Sequence, residues 1–115
     1  MPTLLIVDDH ASFRAVARTA LGERFAVVGE AVDGQRAMEL AIALRPQVVL
    51  LDVELPDADG FSVAAALAAQ DHPPVVVLTS SHDRRDFEPL LRESPARGFI
   101  AKERLSADAL ADLLT

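Results

Sequence analysis

Four short apolar runs in this 115-residue chain each stop on a polar residue with a chemical use. Leu4-Leu5-Ile6-Val7 stops on Asp8-Asp9, and Val48-Val49-Leu50-Leu51 stops on Asp52. Val75-Val76-Val77-Leu78 stops on Thr79-Ser80, and Gly98-Phe99-Ile100-Ala101 stops on Lys102. Carboxylates crowded into one place raise one another's pKa and destabilise a fold unless a cation stands among them. Oxygen ligands, few and open to solvent, suit Mg²⁺, which keeps waters and accepts phosphate oxygens. A carboxylate beside such an ion can act as a nucleophile and become an aspartyl phosphate. Charge developing on the transferred group then needs a metal, a cation, and hydroxyl or amide donors. On this reading Asp8 and Asp9 hold the metal, Asp52 is the acceptor and Lys102 meets the charge, while the Thr79 hydroxyl and the Ser80 amide meet the oxygens.

Each piece alone has a plainer explanation. An aspartate before a helix is most often a cap, a threonine closing a strand is usually a β-former, and a lysine at a sheet edge is usually solvated. Lys102 is harder to set aside. The chain uses ten arginines and this single lysine, and a compact point charge suits a phosphoryl oxygen better than a planar fork does. His10, His72 and His82 show no metal-ligand spacing and read as solvated or loop histidines.

These residues need a scaffold that brings strand ends together, and the hydrophobic pattern supplies one. Between the apolar runs lie segments of helical period. Phe13, Val16, Ala17, Ala20 and Leu21 mark one helix face, with Gly22 as its stop. Phe25 to Ala31 reads as a further strand. Asp33 is placed to cap a helix carrying Ala37, Leu40, Ala41 and Leu44, which must end before Pro46. A polar loop from Glu54 to Asp59 leads into an alanine-rich helix, Gly60 to Gln70. A short helix near Asp86 to Glu93 tolerates Pro89 only in its first turn. Ser106 can cap a last helix bearing Leu110, Leu113 and Leu114.

Five β-α units in succession imply an α/β fold, a parallel sheet with helices on both faces. Strands that are apolar throughout agree with double-sided burial. The doubly wound, flavodoxin-like order 2-1-3-4-5 is the expected topology at this size, and such sheets bind ligands beyond the carboxyl ends of their strands. One domain spanning residues 1–115 accounts for the length.

Bulk properties narrow the function classes. The formal net charge of −7 argues against direct nucleic-acid binding by this chain. No apolar stretch approaches the roughly 20 residues of a membrane span, and only Met1, Pro2 and Thr3 precede the first apolar run, which leaves no room for a signal peptide. The absence of cysteine fits a reducing, cytoplasmic setting.

Over essentially its whole length the chain resembles the receiver domains of bacterial response regulators. The resemblance is carried by Leu5-Ile6-Val7-Asp8-Asp9-His10, by Leu51-Asp52-Val53-Glu54-Leu55-Pro56-Asp57-Ala58-Asp59-Gly60, by Leu78-Thr79-Ser80, and by Gly98-Phe99-Ile100-Ala101-Lys102, in that order. It implies a phosphorylation-dependent signalling switch, not a turnover enzyme, with Asp52 accepting phosphate from a sensor histidine kinase. It implies that Asp9, Asp52 and the Glu54 carbonyl ligate Mg²⁺ with Asp8 in support, partly through water. It also implies that Thr79 and Phe99 form a switch pair, and that the fourth helix, fifth strand and fifth helix carry output to an effector domain or partner. Pairing of two copies on activation belongs to the same expectation.

Some features depart from the family pattern. Glu103 follows Lys102 where many receivers have proline in a cis bond, so a trans peptide is expected here. Relatives joined to helix-turn-helix DNA-binding domains often lack that proline, which favours transcription control as the output. The segment Pro89 to Pro95 is unusual for the fourth helix. Thr115 ends the sequence in or just after the last helix, which leaves both a stand-alone receiver and one with a further effector domain open. Among rivals, a flavodoxin-like carrier is disfavoured because Asp8-Asp9 would repel a flavin phosphate. A dinucleotide-binding domain needs a G-x-G-x-x-G that is missing. An aspartyl-phosphate hydrolase wants an aspartate where Glu54 stands. A degenerate receiver acting as a phosphorylation-independent interaction module is the remaining alternative.

Overall fold

Strand residues in this chain alternate between two apolar layers, which is why the strands carry no polar face. A computed structural model describes residues 1–115. It contains β1 (Thr3–Val7), α1 (Ala11–Leu21), β2 (Ala26–Ala31), α2 (Gly34–Leu44), β3 (Val48–Asp52), α3 (Gly60–Ala68), β4 (Val75–Ser80), α4 (Glu88–Glu93), β5 (Gly98–Ala101) and α5 (Ala107–Leu114). The five strands form one parallel sheet in the order β2-β1-β3-β4-β5, the expected doubly wound fold. Leu5, Val7, Val49, Leu51, Val76 and Leu78 face one way, against Ala37 and Ala41 of α2 and Val63, Ala64 and Leu67 of α3. Leu4, Ile6, Val48, Leu50 and Val77 face the other, against Ala17 and Leu21 of α1 and Leu110 of α5. Each fully buried leucine or isoleucine contributes about 1.5–3 kcal/mol.

The helix boundaries follow local chemistry. Asp33 accepts from the Arg36 N–H and Ser106 from the Ala109 N–H, so both expected caps are made. α2 ends at Arg45 in the left-handed conformation, φ 46°, where Pro46 forbids continuation. Gly22 closes α1 with right-handed backbone angles. α3 stops at Ala68, earlier than its alanine content suggests, because Ala69 and Gln70 turn back with tight bonds to Ala66 and Leu67. Two further departures matter for the site. Val16 of α1 is 62 % exposed, and Ala20 also faces solvent; Arg14 is half-buried in their place. The fourth helical segment is split into a 3₁₀ turn over Arg84–Phe87 and the six-residue α4, with Pro89 in the first turn. Every peptide bond is trans, including that before Glu103.

Candidate functional site

The parallel register brings the polar strand ends level. Val7 lies opposite Leu51, Asp52 opposite Thr79, and Thr79 opposite Ile100. Asp8, one residue past β1, therefore stands beside Asp52. Lys102 begins a 3₁₀ turn directly after β5, and its stem reaches across the end of β4. Its Nζ lies 2.7 Å from Asp8 Oδ2 and 3.1 Å from Asp52 Oδ2. The ammonium also sits 4.5 Å from the centre of the Phe13 ring, a cation–π contact from α1.

Both central carboxylates are buried, Asp8 at 0 % and Asp52 at 3 % exposure. Their remaining oxygens are not free. Asp52 Oδ1 accepts from the Glu54 N–H at 3.0 Å, and Asp8 Oδ1 from the His10 N–H at 2.8 Å. Burial pushes the Asp52 carboxyl up to about 6, with the adjacent Asp8 adding to the rise against the Glu54 N–H and Lys102. Asp8 moves the other way. Burial opposes its ionisation, but Lys102 and the His10 N–H together hold it below the usual carboxylate range. Lys102 is raised because its two carboxylate partners outweigh its own desolvation. Thr79 Oγ1 is buried with no hydrogen-bond partner, and Asp8 Oδ2 has only its Lys102 ion pair.

A hard divalent cation fits this set. Ligand atoms of Asp8, Asp9, His10 and Asp52 all lie within 4.8 Å of one another, and most are carboxylate oxygens. The Lys102 ammonium pairs with Asp8 and Asp52, and Asp9 adds a third carboxylate beside them with His10 as its partner.

Of the residues singled out from sequence, Asp8, Asp9, Asp52 and Lys102 converge directly. Thr79 and Ser80 are buried at the adjoining end of β4. Glu54 stands at the mouth of the site, but its side chain turns outward, with Oε1 3.2 Å from His82 Nε2. Phe99 is buried, with its ring 5.9 Å from that of Phe87.

Other participants were not foreseen. His10 is mostly exposed, as expected for a loop histidine. Its Nδ1 nevertheless lies 3.0 Å from Asp8 Oδ1 and 3.1 Å from Asp9 Oδ1, inside the acidic cluster. His82 joins the rim through Glu54, while His72 stays exposed just before β4, at the opposite end of the sheet. Asp57 reaches from the loop after β3 to accept from the N–H groups of Gly34 and Gln35 at 2.8 and 3.0 Å, capping α2 from outside. Phe13 lies under Lys102, and Arg14 donates to the Asp8 carbonyl at 2.6 Å. Placement of Phe13 and Arg14 one turn into the helix after the acid pair was the available signal. Nothing in the spacing pointed to Asp57 or His82.

Comparison with known proteins agrees with this arrangement. Residues 4–114 match the family model described as the response regulator receiver domain. The transcriptional regulatory protein PdtaR of Mycobacterium tuberculosis is 37 % identical over 100 residues, covering 86 % of this chain and 48 % of that protein. NarL of the same organism is 36 % identical over 113 residues, covering 96 % and 52 %. The solved signal receiver domain of that NarL superposes with a TM-score of 0.88 over 96 % of this chain and 94 % of the other, at 36 % identity. A two-component response regulator of the LuxR family from Aurantimonas gives 0.87 at 26 % identity, over 99 % and 86 %. The chain spans about half the length of the curated relatives PdtaR and NarL. No helix is long and apolar enough to cross a membrane.

Proposed function

Because the chain belongs to the response regulator receiver domain family, we propose that it is a switch in which Asp52 takes a phosphoryl group from a phosphohistidine of a sensor histidine kinase. One observation carries this reading. The buried Asp52 carboxylate is gripped by the Lys102 ammonium on one oxygen and the Glu54 N–H on the other, within an acidic cluster. An Asp52 oxygen forms the new O–P bond as the N–P bond of the donor imidazole breaks, and the departing nitrogen takes a proton from solvent. Lys102 pairs with charge building on the phosphoryl oxygens. The Thr79 hydroxyl, now without a partner, donates to one of them beside the Ser80 amide. Asp9, Asp52 and the Glu54 carbonyl would hold Mg²⁺, with Asp8 in support. Bound there, the ion supplies charge neutralisation to the crowded carboxylates and the incoming phosphate.

Relay to the surface runs through β4 and β5. Thr79 moves toward the phosphoryl group, and Phe99 packs behind it, reshaping the face of α4, β5 and α5. Phe99 is buried, with its ring 5.9 Å from that of Phe87, and phosphorylation acts by shifting a population between its inward and outward rotamers. The relatives named as transcriptional regulators support transcription control as the output; a DNA-binding effector segment as the recipient of the signal, pairing of two receivers on activation and a cytoplasmic setting complete the proposal.

The decisive experiment is intact-mass measurement after incubation with a small acyl phosphate and Mg²⁺. One phosphoryl group is expected, abolished by chelator and by Asp52→Asn, whose amide is not nucleophilic. Undiminished labelling in that variant would sink the assignment. A parent protein that stays unlabelled would leave a phosphorylation-independent interaction module in its place.

A further inference from the structure

We infer that Arg14 is a positioning residue for the acidic cluster, its guanidinium fixing the Asp8–Asp9 peptide so that both acids face the point occupied by Asp52. The inference rests on the phosphoacceptor reading above and extends it to a residue that touches no reacting group. The Arg14 side chain is only 15 % exposed, on one edge of the face that buries Ala17 and Leu21, while Val16 on the opposite edge is exposed. Its Nη1 donates to the Asp8 carbonyl at 2.6 Å, and its Nε donates to Glu30 Oε1 at 2.9 Å. The other oxygen of Glu30 is taken by Arg18, with Nη2 at 2.7 Å. Glu30 lies on β2, level with Ile6 of β1. The guanidinium thus ties three elements together: α1, the end of β1, and β2.

The bond to the Asp8 carbonyl has a particular consequence. That carbonyl belongs to the peptide joining Asp8 to Asp9, so holding it sets the direction in which Asp9 leaves the strand. The Asp8 N–H is held from the other side, by the Ala31 carbonyl at 3.0 Å. Both polar groups of the Asp8 backbone are therefore fixed. Asp9 itself has few restraints, its side chain being 36 % exposed with His10 as its only ion-pair partner. Repulsion among Asp8, Asp9 and Asp52 favours rotating this peptide and swinging Asp9 outward, and the charge-assisted bond from Arg14 opposes that rotation. A lysine could reach one acceptor. Arginine serves the carbonyl and Glu30 at once, in a fork of fixed geometry.

The test is titration of the full chain with MgCl₂ by isothermal calorimetry, with thermal unfolding of each variant. Arg14→Ala is expected to weaken Mg²⁺ binding about tenfold, in the range that support residues around metal ligands command. Glu30→Gln, which leaves the carbonyl bond but loosens its anchor, should cost about threefold, and Arg14→Lys should fall between parent and alanine. Arg24→Ala, which removes an ion pair with Asp108 elsewhere on the surface, should bind like the parent. A folded Arg14→Ala with parental affinity overturns the inference. If that variant does not fold, parental affinity in both Arg14→Lys and Glu30→Gln overturns it instead. A parent that binds no Mg²⁺, with Asp9→Ala indistinguishable from it, would fail the metal reading and not the positioning one. Positioning is then read from the Asp9 and His10 amide NMR signals of metal-free Arg14→Lys and Glu30→Gln, and signals identical to the parent's overturn it.

Discussion

Around β1 and β3, the carboxyl rim of the sheet is held by charged side chains that cross from one element to another. Around β4 and β5 it is closed by short turns and aromatic contacts, with Lys102 reaching across from the end of β5 to Asp8 and Asp52. On the first side, Arg14 ties α1 to Asp8 and β2, and Asp57 ties the loop after β3 to α2. On the second side, a 3₁₀ turn leads into α4, in which no residue is fully buried, and the links to the core are half-buried Leu91 and Phe87, the latter with its ring 5.9 Å from both Phe61 and Phe99. The difference divides labour. Phosphoryl chemistry needs ligands in fixed places, while a response needs an element whose rearrangement breaks few contacts.

Four measurements would break or sharpen this contrast. The largest stability loss is expected at Gly60, where an added Cβ would stand 2.7 Å from Val53 Cα and press on the Asp52 carbonyl. Gly60→Ala should cost about 2–3 kcal/mol in urea unfolding, and a neutral result would show that the β3 side can yield after all.

Next comes the charge stored at Asp52. Its folded pKa, about 6, lies above the ordinary value of 3.8, so the folded chain takes up this proton more readily than the unfolded one. Ionisation therefore costs the metal-free fold most above pH about 6, and the cost fades as pH falls towards about 4. In chelator near neutral pH, Asp52→Asn should be more stable than the parent by up to about 3 kcal/mol. The gap should close across that acidic window. A constant gap would mean that burial does not set the shift.

The third measurement addresses response directly. With beryllofluoride and Mg²⁺, amide NMR shifts should be larger over residues 81–105 than over α1 and α2, with the Phe99 ring among the most affected signals. Thr79→Ala should reduce the Phe99 change by more than half. An unchanged Phe99 environment in fully modified protein would exclude the switch. The smallest effect is expected at the rim, where His82 and Glu54 pair in the open. His82→Ala should alter thermal stability by less than about 0.5 kcal/mol, and a larger loss would mean that the β4–β5 side is more tightly held than its contacts indicate.

The strand ends and the caps at Asp33 and Ser106 are legible in the sequence because each depends on a local pattern, an apolar run or one side chain bonding its own helix, and the sheet order follows because right-handed crossovers between five β-α units leave few topologies. The acid pair, Asp52 and Lys102 were legible for the same reason, since strand ends collect at one rim once the sheet is parallel. What escaped was decided across elements. Periodicity assigned Val16 inward, but the helix is rolled to bury Arg14 against Asp8 and Glu30, an ion pair and a hydrogen bond outweighing one valine. His10 was read as solvated because its two acceptors become neighbours only when β1 turns into α1. The sequence pattern carries the short fourth helix but not its 3₁₀ entry, which Pro89 and the Asp83 cap jointly set.

The capping of α2 by Asp57 bears on how the molecule acquires its structure. Gly34 and Gln35 donate to a carboxylate 23 and 22 residues further along the chain, while Asp33 serves the Arg36 N–H locally. Half of the helix start is thus completed only after β3 has entered the sheet and the following loop has folded back. An isolated fragment ending at Pro46 would carry a frayed first turn. The start of α2 and the loop that frames Asp52 thus share one carboxylate, so the helix start and the site are completed by the same long-range contact.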